Sequence, residues 1–121
     1  MARLLAYGHA GVDPKIMGLG PVSAVKSALA KAGLKLDQMD VIESNEAFAA
    51  QAMGVSKELG MNPAKVNPNG GAVALGHPIG ATGCILTIKA MYELQRTNGR
   101  YGLVTMCIGG GQGIAAVIER M

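Results

Sequence analysis

Residues 101–119 read Tyr-Gly-Leu-Val-Thr-Met-Cys-Ile-Gly-Gly-Gly-Gln-Gly-Ile-Ala-Ala-Val-Ile-Glu, two apolar segments on either side of a glycine run. Short apolar segments bounded by glycine are typical of buried strands. The sequence therefore predicts strands over 101–107 and 112–119. Because the connection between them is too short for a crossover, we expect the two strands to pair antiparallel.

Upstream of this hairpin, strand and helix patterns alternate, and no linker or internal repeat divides the chain. Proline at position 21 suits the first turn of a helix, and Gly33 and Gly60 are typical helix stops. The predicted elements are a strand over 3–7, a helix from 20 to Gly33, a strand over 40–44, a helix over 46–59, a strand over 65–67 and a helix over 79–97. With the final hairpin, this βαβαβαββ order predicts one α/β domain over 1–121, with helices layered on a mixed five-stranded sheet.

Composition limits the classes of partner. Charged residues make up 16% of the 121 positions, against roughly 25% in soluble domains, so we expect part of the surface to be covered by another surface. A net charge of +3 without a basic cluster argues against nucleic acid. No apolar run has the length of a membrane span, and the two cysteines show no disulfide pattern, which favours a cytoplasmic protein that binds no membrane.

The first candidate catalytic residue is His77, between Gly76 and Pro78. A single histidine is most often a packed loop residue. Here glycine-rich stretches at 67–71 and 80–83 flank the histidine, and so many small residues indicate that a ligand comes close. His9 lacks such surroundings, and we interpret it as an ordinary loop residue.

The second candidate is Cys107, at the end of a predicted strand and just before the glycine run. One interpretation is a buried structural cysteine, the usual place of a free thiol. The other is a thiol that faces His77 and exchanges a proton with a substrate. Cys84 lies in an apolar helical segment, and we predict it to be a core residue.

Asn45 follows a predicted strand and precedes a predicted helix. From the residues alone, a helix N-cap without chemistry is the favoured interpretation. On the same basis Phe48, the only phenylalanine in the chain, is interpreted as a core residue.

Three motifs change these interpretations. Asn45-Glu-Ala-Phe-Ala49, Gly76-His-Pro78 and Cys107-Ile-Gly-Gly-Gly-Gln-Gly113, in this order and spacing, resemble the signature of the thiolase family, the acetyl-CoA C-acetyltransferases and their relatives. The resemblance runs from about Leu4 to the last residue and includes the segment 11–18. It implies a thiolase-like C-terminal domain and an acyltransferase that condenses two acetyl-CoA to acetoacetyl-CoA and CoA, or catalyses the reverse thiolysis.

The resemblance also implies roles for individual residues. His77 would deprotonate a nucleophilic cysteine and later donate a hydrogen bond to the thioester oxygen of the enolate. Asn45 would hold a water in that oxyanion hole, and the backbone N–H of Gly109 would line a second one. Cys107 would be the acid/base that removes the methyl proton.

Met17 and Phe48 match positions that line the acyl and pantetheine channel of the family. The resemblance implies a coenzyme A thioester as substrate, and neither a metal nor any other cofactor is expected. It also implies a homo-oligomer, a dimer or tetramer, for the intact enzyme.

In this family the nucleophilic cysteine lies in an N-terminal half, which this sequence does not contain, and Cys84 does not match its context. We therefore expect the isolated chain to be inactive and to work with an N-terminal thiolase half in the same or a separate chain. The alternative is a non-catalytic scaffold or binding domain that keeps the fold.

Overall fold

A computed structural model describes all residues of the chain, Met1–Met121. Four strands, β1 (Ala2–Gly11), β2 (Val41–Ser44), β3 (Tyr101–Ile108) and β4 (Gln112–Arg120), form one mixed sheet. Their order is β1-β4-β3-β2, in which β4 pairs antiparallel with β1 and β3, and β2 pairs parallel with β3. The predicted mixed sheet and its antiparallel final hairpin are confirmed.

Helices cover both faces of the sheet. The two predicted glycine stops are confirmed, since Gly33 and Gly60 end the first two helices in the left-handed conformation, at φ 66° and 64°. Short 3₁₀ turns occupy Pro14–Leu19, Leu36–Gln38 and Pro63–Lys65. The helices are α1 (Gly20–Ala32), α2 (Ala49–Leu59), α3 (Ala72–Leu75) and α4 (Thr82–Thr97).

Alternating strand residues divide the core between the two faces. On one face α1 and Val55 of α2 pack against Leu103, Ala115 and Val117. On the other face α4 packs against the sheet, in a cluster of Val41, Leu86, Ala90, Leu94, Val104 and Ile118. The result is a helix–sheet–helix layering.

The prediction of a fifth strand over 65–67 is wrong. Val66 makes only an isolated parallel bridge with Ile42. Beyond it, the side chain of Asn67 replaces the backbone: Ser44 N donates to Asn67 Oδ1 at 2.9 Å, and Asn67 Nδ2 donates to Ser44 O at 2.8 Å. Asn67 itself is left-handed, with φ 46°, so the backbone turns away from the sheet.

Two helices begin three residues later than predicted. α2 begins at Ala49, with Phe48 rather than Asn45 at its N-cap position, so the N-cap interpretation of Asn45 is wrong. α4 begins at Thr82 rather than at 79. Ahead of it, the backbone N–H groups of Ala81 and Thr82 both close a turn onto the carbonyl of Pro78.

Two residues that we predicted to have no catalytic role do not lie where the sequence predicts. His9 is an exposed residue of β1, not of a loop, and its Nε2 lies 3.2 Å from Gln112 Oε1 on the paired strand. Cys84 is exposed, which contradicts the predicted core position. The helix turns it away from the sheet, because Thr82 and Leu86 occupy the buried side.

Three large side chains on α4 point away from the sheet. Ile85, Ile88 and Tyr92 are 38%, 52% and 68% exposed and recur at helical spacing. We refer to these three residues as the outer face of α4. None of the helices is long and apolar enough to cross a membrane.

Candidate active site

The candidate residues meet at one edge of the sheet. β2 and β3 are parallel neighbours, so Asn45, which follows β2, and Cys107, near the end of β3, come from strand ends on the same side. His77 reaches this edge from the loop between α3 and α4. Three segments distant in sequence therefore converge where the parallel strands end.

A cavity of about 460 Å³ lies at this edge. It contains five of the six residues singled out in the sequence, and its walls are largely apolar. Two other cavities, of about 360 and 350 Å³, are lined by neither histidine nor cysteine. The residues that line the first cavity are Met17, Ala47, Phe48, His77, Ile79, Met106, Cys107, Ile108 and Gly109.

Asn45, the sixth residue, does not line this cavity but contacts the histidine. Its side chain is buried, and Nδ2 lies 3.4 Å from His77 Nε2. The backbone N–H of Asn45 donates to Thr105 O at 2.9 Å, which fixes the residue to the end of β3. The side-chain amide of Asn45 thus contacts the imidazole of His77 on its Nε2 side.

Thr82 sets the tautomer of His77. Thr82 Oγ1 donates its only proton to Pro78 O at 3.0 Å and lies 2.6 Å from His77 Nδ1. With its proton on Pro78 O, the hydroxyl oxygen accepts from Nδ1, and on this basis we assign the tautomer in which Nδ1 carries the hydrogen. In the neutral imidazole, Nε2 then holds the lone pair and is available as a base.

Thr82 was not identified from the sequence. Threonine at the start of a helix is a common N-terminal residue, and only the fold shows that its hydroxyl contacts an imidazole.

The thiol of Cys107 is half-buried among the apolar residues of the cavity. Burial raises the pKa of Cys107, because the apolar surroundings disfavour the thiolate. At neutral pH the side chain is therefore a thiol, which can donate a proton. It can act as a base only after its own proton has been transferred to another group.

The turn after Cys107 brings backbone into the cavity. Gly110 and Gly111 have φ of 80° and 88°, a conformation that favours glycine. Val12 N donates to Gly111 O at 2.7 Å, which ties this turn to the segment that leads to Met17. Gly109 is exposed on the cavity wall, with nothing within 4 Å of where a Cβ would stand.

Glu46 anchors the loops that carry Asn45 and His77. Its Oε1 accepts from Asn67 Nδ2 at 3.1 Å, and its Oε2 accepts from the backbone N–H of Val73 at 2.9 Å. The carboxylate also fills the space where Gly71 would carry a Cβ. Beyond the presence of a carboxylate beside Asn45, no sequence pattern indicates this anchor.

A charged network lies beneath the same loops. Lys89 Nζ lies 2.9 Å from Oε2 of the fully buried Glu43 and also donates to Gly70 O. Burial raises the pKa of Glu43, and the ion pair with Lys89 acts in the opposite direction.

Farther along α4, the hydrogen bond from Arg96, and then that from Asn69, hold the pKa of Glu93 below its usual range. The bond from Asn69 Nδ2 to Glu93 Oε2 is 2.7 Å long and fastens the loop ahead of His77 to α4. None of these charged residues stands out in the sequence, because a charged side chain is normally exposed to solvent.

Comparisons with known proteins all match the chain to the same family. Residues 1–120 match the family model described as "Thiolase, C-terminal domain". The chain is 68% identical over its whole length to beta-ketothiolase BktB of Cupriavidus necator, of which it covers 31%. It is 59% identical to the 3-oxoadipyl-CoA/3-oxo-5,6-dehydrosuberyl-CoA thiolase of Escherichia coli, with 99% of the chain and 30% of that protein covered.

Solved structures show the same fold. The crystal structure of human mitochondrial 3-ketoacyl-CoA thiolase in complex with CoA superposes with a TM-score of 0.97 at 50% identity, covering 99% of this chain and 30% of that one. The chain thus spans about a third of the length of these relatives.

Proposed function

The chain belongs to the thiolase family, matching its C-terminal domain, and we propose that it supplies acid/base groups for acyl transfer between coenzyme A thioesters. The proposed reaction is the Claisen condensation of two acetyl-CoA to acetoacetyl-CoA and CoA, or the reverse thiolysis. The observation that carries the proposal is the single cavity shared by His77 and Cys107. The coenzyme A thioester is the substrate, and the proposal includes no other cofactor or metal.

His77 is the proposed base for the nucleophilic thiol. Its Nε2 carries the lone pair, and the 3.4 Å contact from Asn45 is long enough to yield to a better partner. After it takes the thiol proton, the imidazolium donates from Nε2 to the thioester oxygen of the second acetyl-CoA. Asn45, through a bound water, is the second donor to that oxygen.

Cys107 is the proposed base for carbon–carbon bond formation. As the acyl-enzyme forms, the Cys107 thiol gives its proton to the departing CoA thiolate, which leaves as CoA. The Cys107 thiolate then removes a proton from the methyl carbon of the second acetyl-CoA, and the resulting enolate is held by the donors at His77 and Asn45. The enolate carbon attacks the acyl carbon, and the nucleophilic cysteine leaves as a thiolate. The backbone N–H of Gly109 stabilises the oxyanion formed at the acyl carbon.

The apolar wall supports an acyl group as the occupant of the cavity. Met17 and Phe48 lie on this wall with Ile79, and Phe48 and Ile79 are 64% and 83% exposed in this chain. An acyl chain or a pantetheine arm would cover such surface favourably.

The nucleophile comes from elsewhere in this proposal. The chain has two cysteines, and Cys84 does not line the cavity that holds Cys107. We propose that an N-terminal thiolase portion, in the same or a separate chain, supplies the nucleophilic cysteine and that the complete enzyme is a homo-oligomer. The isolated chain should then be inactive, because the acyl-enzyme cannot form.

The test combines the purified chain with the N-terminal portion of the Cupriavidus necator relative and measures thiolysis of acetoacetyl-CoA by CoA. The chain alone should show no rate above buffer, and the mixture should be active. Thiolysis by the chain alone would show that the nucleophile lies within it. A stable complex without activity would favour the non-catalytic scaffold.

Variants in the active mixture separate the two proposed roles. His77→Ala should cost at least the roughly 100- to 1,000-fold typical of one oxyanion donor. Cys107→Ala should abolish condensation while a labelled acetyl group still transfers to the N-terminal portion. Cys84→Ala, which removes an exposed thiol outside the cavity, is the control and should keep the original rate.

A further inference from the structure

A much smaller cavity, separate from the candidate active site, is lined by Asn45. Its volume is about 20 Å³, and its walls include Asn45, Gly71, Thr82 and Lys89. None of its lining residues also lines the larger cavity. One water molecule needs on the order of 10–15 Å³ and two to four polar neighbours, and this cavity provides both.

The amide of Asn45 has one atom without a partner. Its Nδ2 faces His77 Nε2, whereas Oδ1 is buried and accepts no hydrogen bond from the protein. The orientation of the amide follows from the imidazole, because Nε2 holds a lone pair and requires a donor opposite it. A buried carbonyl oxygen in this position calls for a donor from the side away from His77.

Lys89 is the donor that the same cavity contains. Its ammonium group has three hydrogens. Nζ donates to Gly70 O and forms an ion pair with Glu43, at 2.9 Å from Oε2. The side chain is only 17% exposed, so bulk water does not readily take the third hydrogen.

We propose that Lys89 is a positioning residue for Asn45, acting through one water molecule bound in this cavity. Lys89 Nζ donates to the water oxygen, and the water donates to Asn45 Oδ1. The remaining lone pair of Thr82 Oγ1 provides a third polar neighbour. This bridge holds the amide with Nδ2 toward His77.

The consequence for chemistry rests on the proposed function. If the amide rotated by half a turn, Oδ1 would face the lone pair of His77 Nε2 and repel it. A protonated Nε2 would instead be held by Oδ1 and would no longer donate to a substrate oxygen. Lys89 thus keeps Asn45 a donor and leaves the histidine free for both of its proposed steps.

The first test needs only the 121-residue chain. A crystal structure that resolves ordered waters should show one within hydrogen-bond distance of both Lys89 Nζ and Asn45 Oδ1. In ¹⁵N NMR spectra, the side-chain NH₂ of Asn45 should give two separate, slowly exchanging signals.

Lys89→Met removes the donor but leaves the buried carboxylate of Glu43 without its partner, so this variant can lose its fold. The double variant Glu43→Gln/Lys89→Met removes both charges and tests the bridge in a neutral interior. In it, the Asn45 NH₂ signals and the Nε2 resonance of His77 should shift. Lys26→Met, on an exposed position of α1, is the matched control and should leave both unchanged.

An ordered Asn45 Oδ1 bonded to a protein donor, or Asn45 signals unchanged in a folded double variant, would overturn the proposal. In the assembled enzyme, the double variant should lower kcat at least about tenfold with little change in KM. If the assembled enzyme with the original sequence has no activity, the proposed function fails, and the crystal and NMR results still decide the role of Lys89.

Discussion

Gly20 at the start of α1 and Gly113 at the start of β4 pack backbone against backbone, and a Cβ on Gly20 would stand 2.8 Å from Gly113 N. Gly113 is also the register partner of Cys107 in the hairpin. Because Gly20 directly follows the 3₁₀ turn that carries Met17, this contact sets the spacing between the walls that carry Met17 and Cys107 in the cavity of the candidate site.

Gly113→Ala should therefore destabilise the chain. The added methyl group meets the backbone of Gly20 rather than a side chain that could move, and overpacking of this kind costs about 1–3 kcal/mol. Urea unfolding at low protein concentration measures the change. Gly80→Ala, where nothing lies within 4 Å of the new methyl, is the control and should stay within about 0.5 kcal/mol. Equal midpoints for the two variants would contradict the tight contact.

Thr82→Val should release the tautomer of His77. The valine cannot accept the Nδ1 hydrogen, so the ¹⁵N resonances of the imidazole should shift toward a mixture of tautomers. In the assembled enzyme the rate should fall by up to about 100-fold, because the ring loses its fixed orientation. Thr82→Ser keeps the hydroxyl and should retain both the resonances and most of the rate. Unchanged imidazole resonances in Thr82→Val would exclude the proposed control of the tautomer.

The thiol of Cys107 should ionise at a higher pH than a free thiol does. In a Cys84→Ser background, the rate of alkylation by iodoacetamide should rise with pH at values above those of a small free thiol, because burial raises the pKa of Cys107. The raised pKa of Cys107 also contributes to the free energy of unfolding. This contribution is fully present below the pKa that the thiol has in the unfolded chain, and it is lost as pH rises through the higher pKa of the folded chain. N-acetylcysteine in the same buffer is the reference. A midpoint at or below that of the reference would contradict the effect of burial.

The outer face of α4 should make the isolated chain associate. Ile85, Ile88 and Tyr92 together present apolar surface of the kind that soluble monomers usually cover. At micromolar concentration, light scattering after size-exclusion chromatography should detect oligomers. Alternatively, the chain should bind a hydrophobic dye strongly, as measured by the fluorescence of the dye.

Ile88→Glu should weaken this association, whereas Ala30→Glu, at an exposed position of α1, should leave it intact. A compact monomer of the original sequence that binds no dye would show that this face needs no cover.

Features that depend on local sequence were the ones that could be predicted. Left-handed glycines ended the helices where expected, and the Gly109–Gly111 run imposed the final hairpin. The meeting of His77 and Cys107 in one cavity followed from motifs rather than from periodicity. The prediction of a fifth strand was wrong because no sequence pattern indicates that the side chain of Asn67, rather than a strand backbone, pairs with Ser44.

The supporting groups of the site depend on contacts between distant residues. Glu46 acts through Asn67 and Val73, and Lys89 acts through Glu43 and Gly70. Each is an ordinary charged residue in the sequence, and its role exists only once the loops have been brought together. Exposed positions such as Cys84 were misjudged because helical periodicity does not say how much of a helix the sheet covers.

The parallel pairing of β2 with β3 has a consequence for folding kinetics. Between Ser44 and Tyr101 the chain runs through α2, α3 and α4 before the two strands can pair, whereas β3 and β4 are joined by a turn of three residues. Closing the long connection costs entropy before its contacts form, so the hairpin should nucleate within microseconds and β2 should join much later. Asn45, at the end of β2, then reaches His77 only in the last stage of folding. Substitutions in this region should accelerate unfolding and leave the refolding rate nearly unchanged.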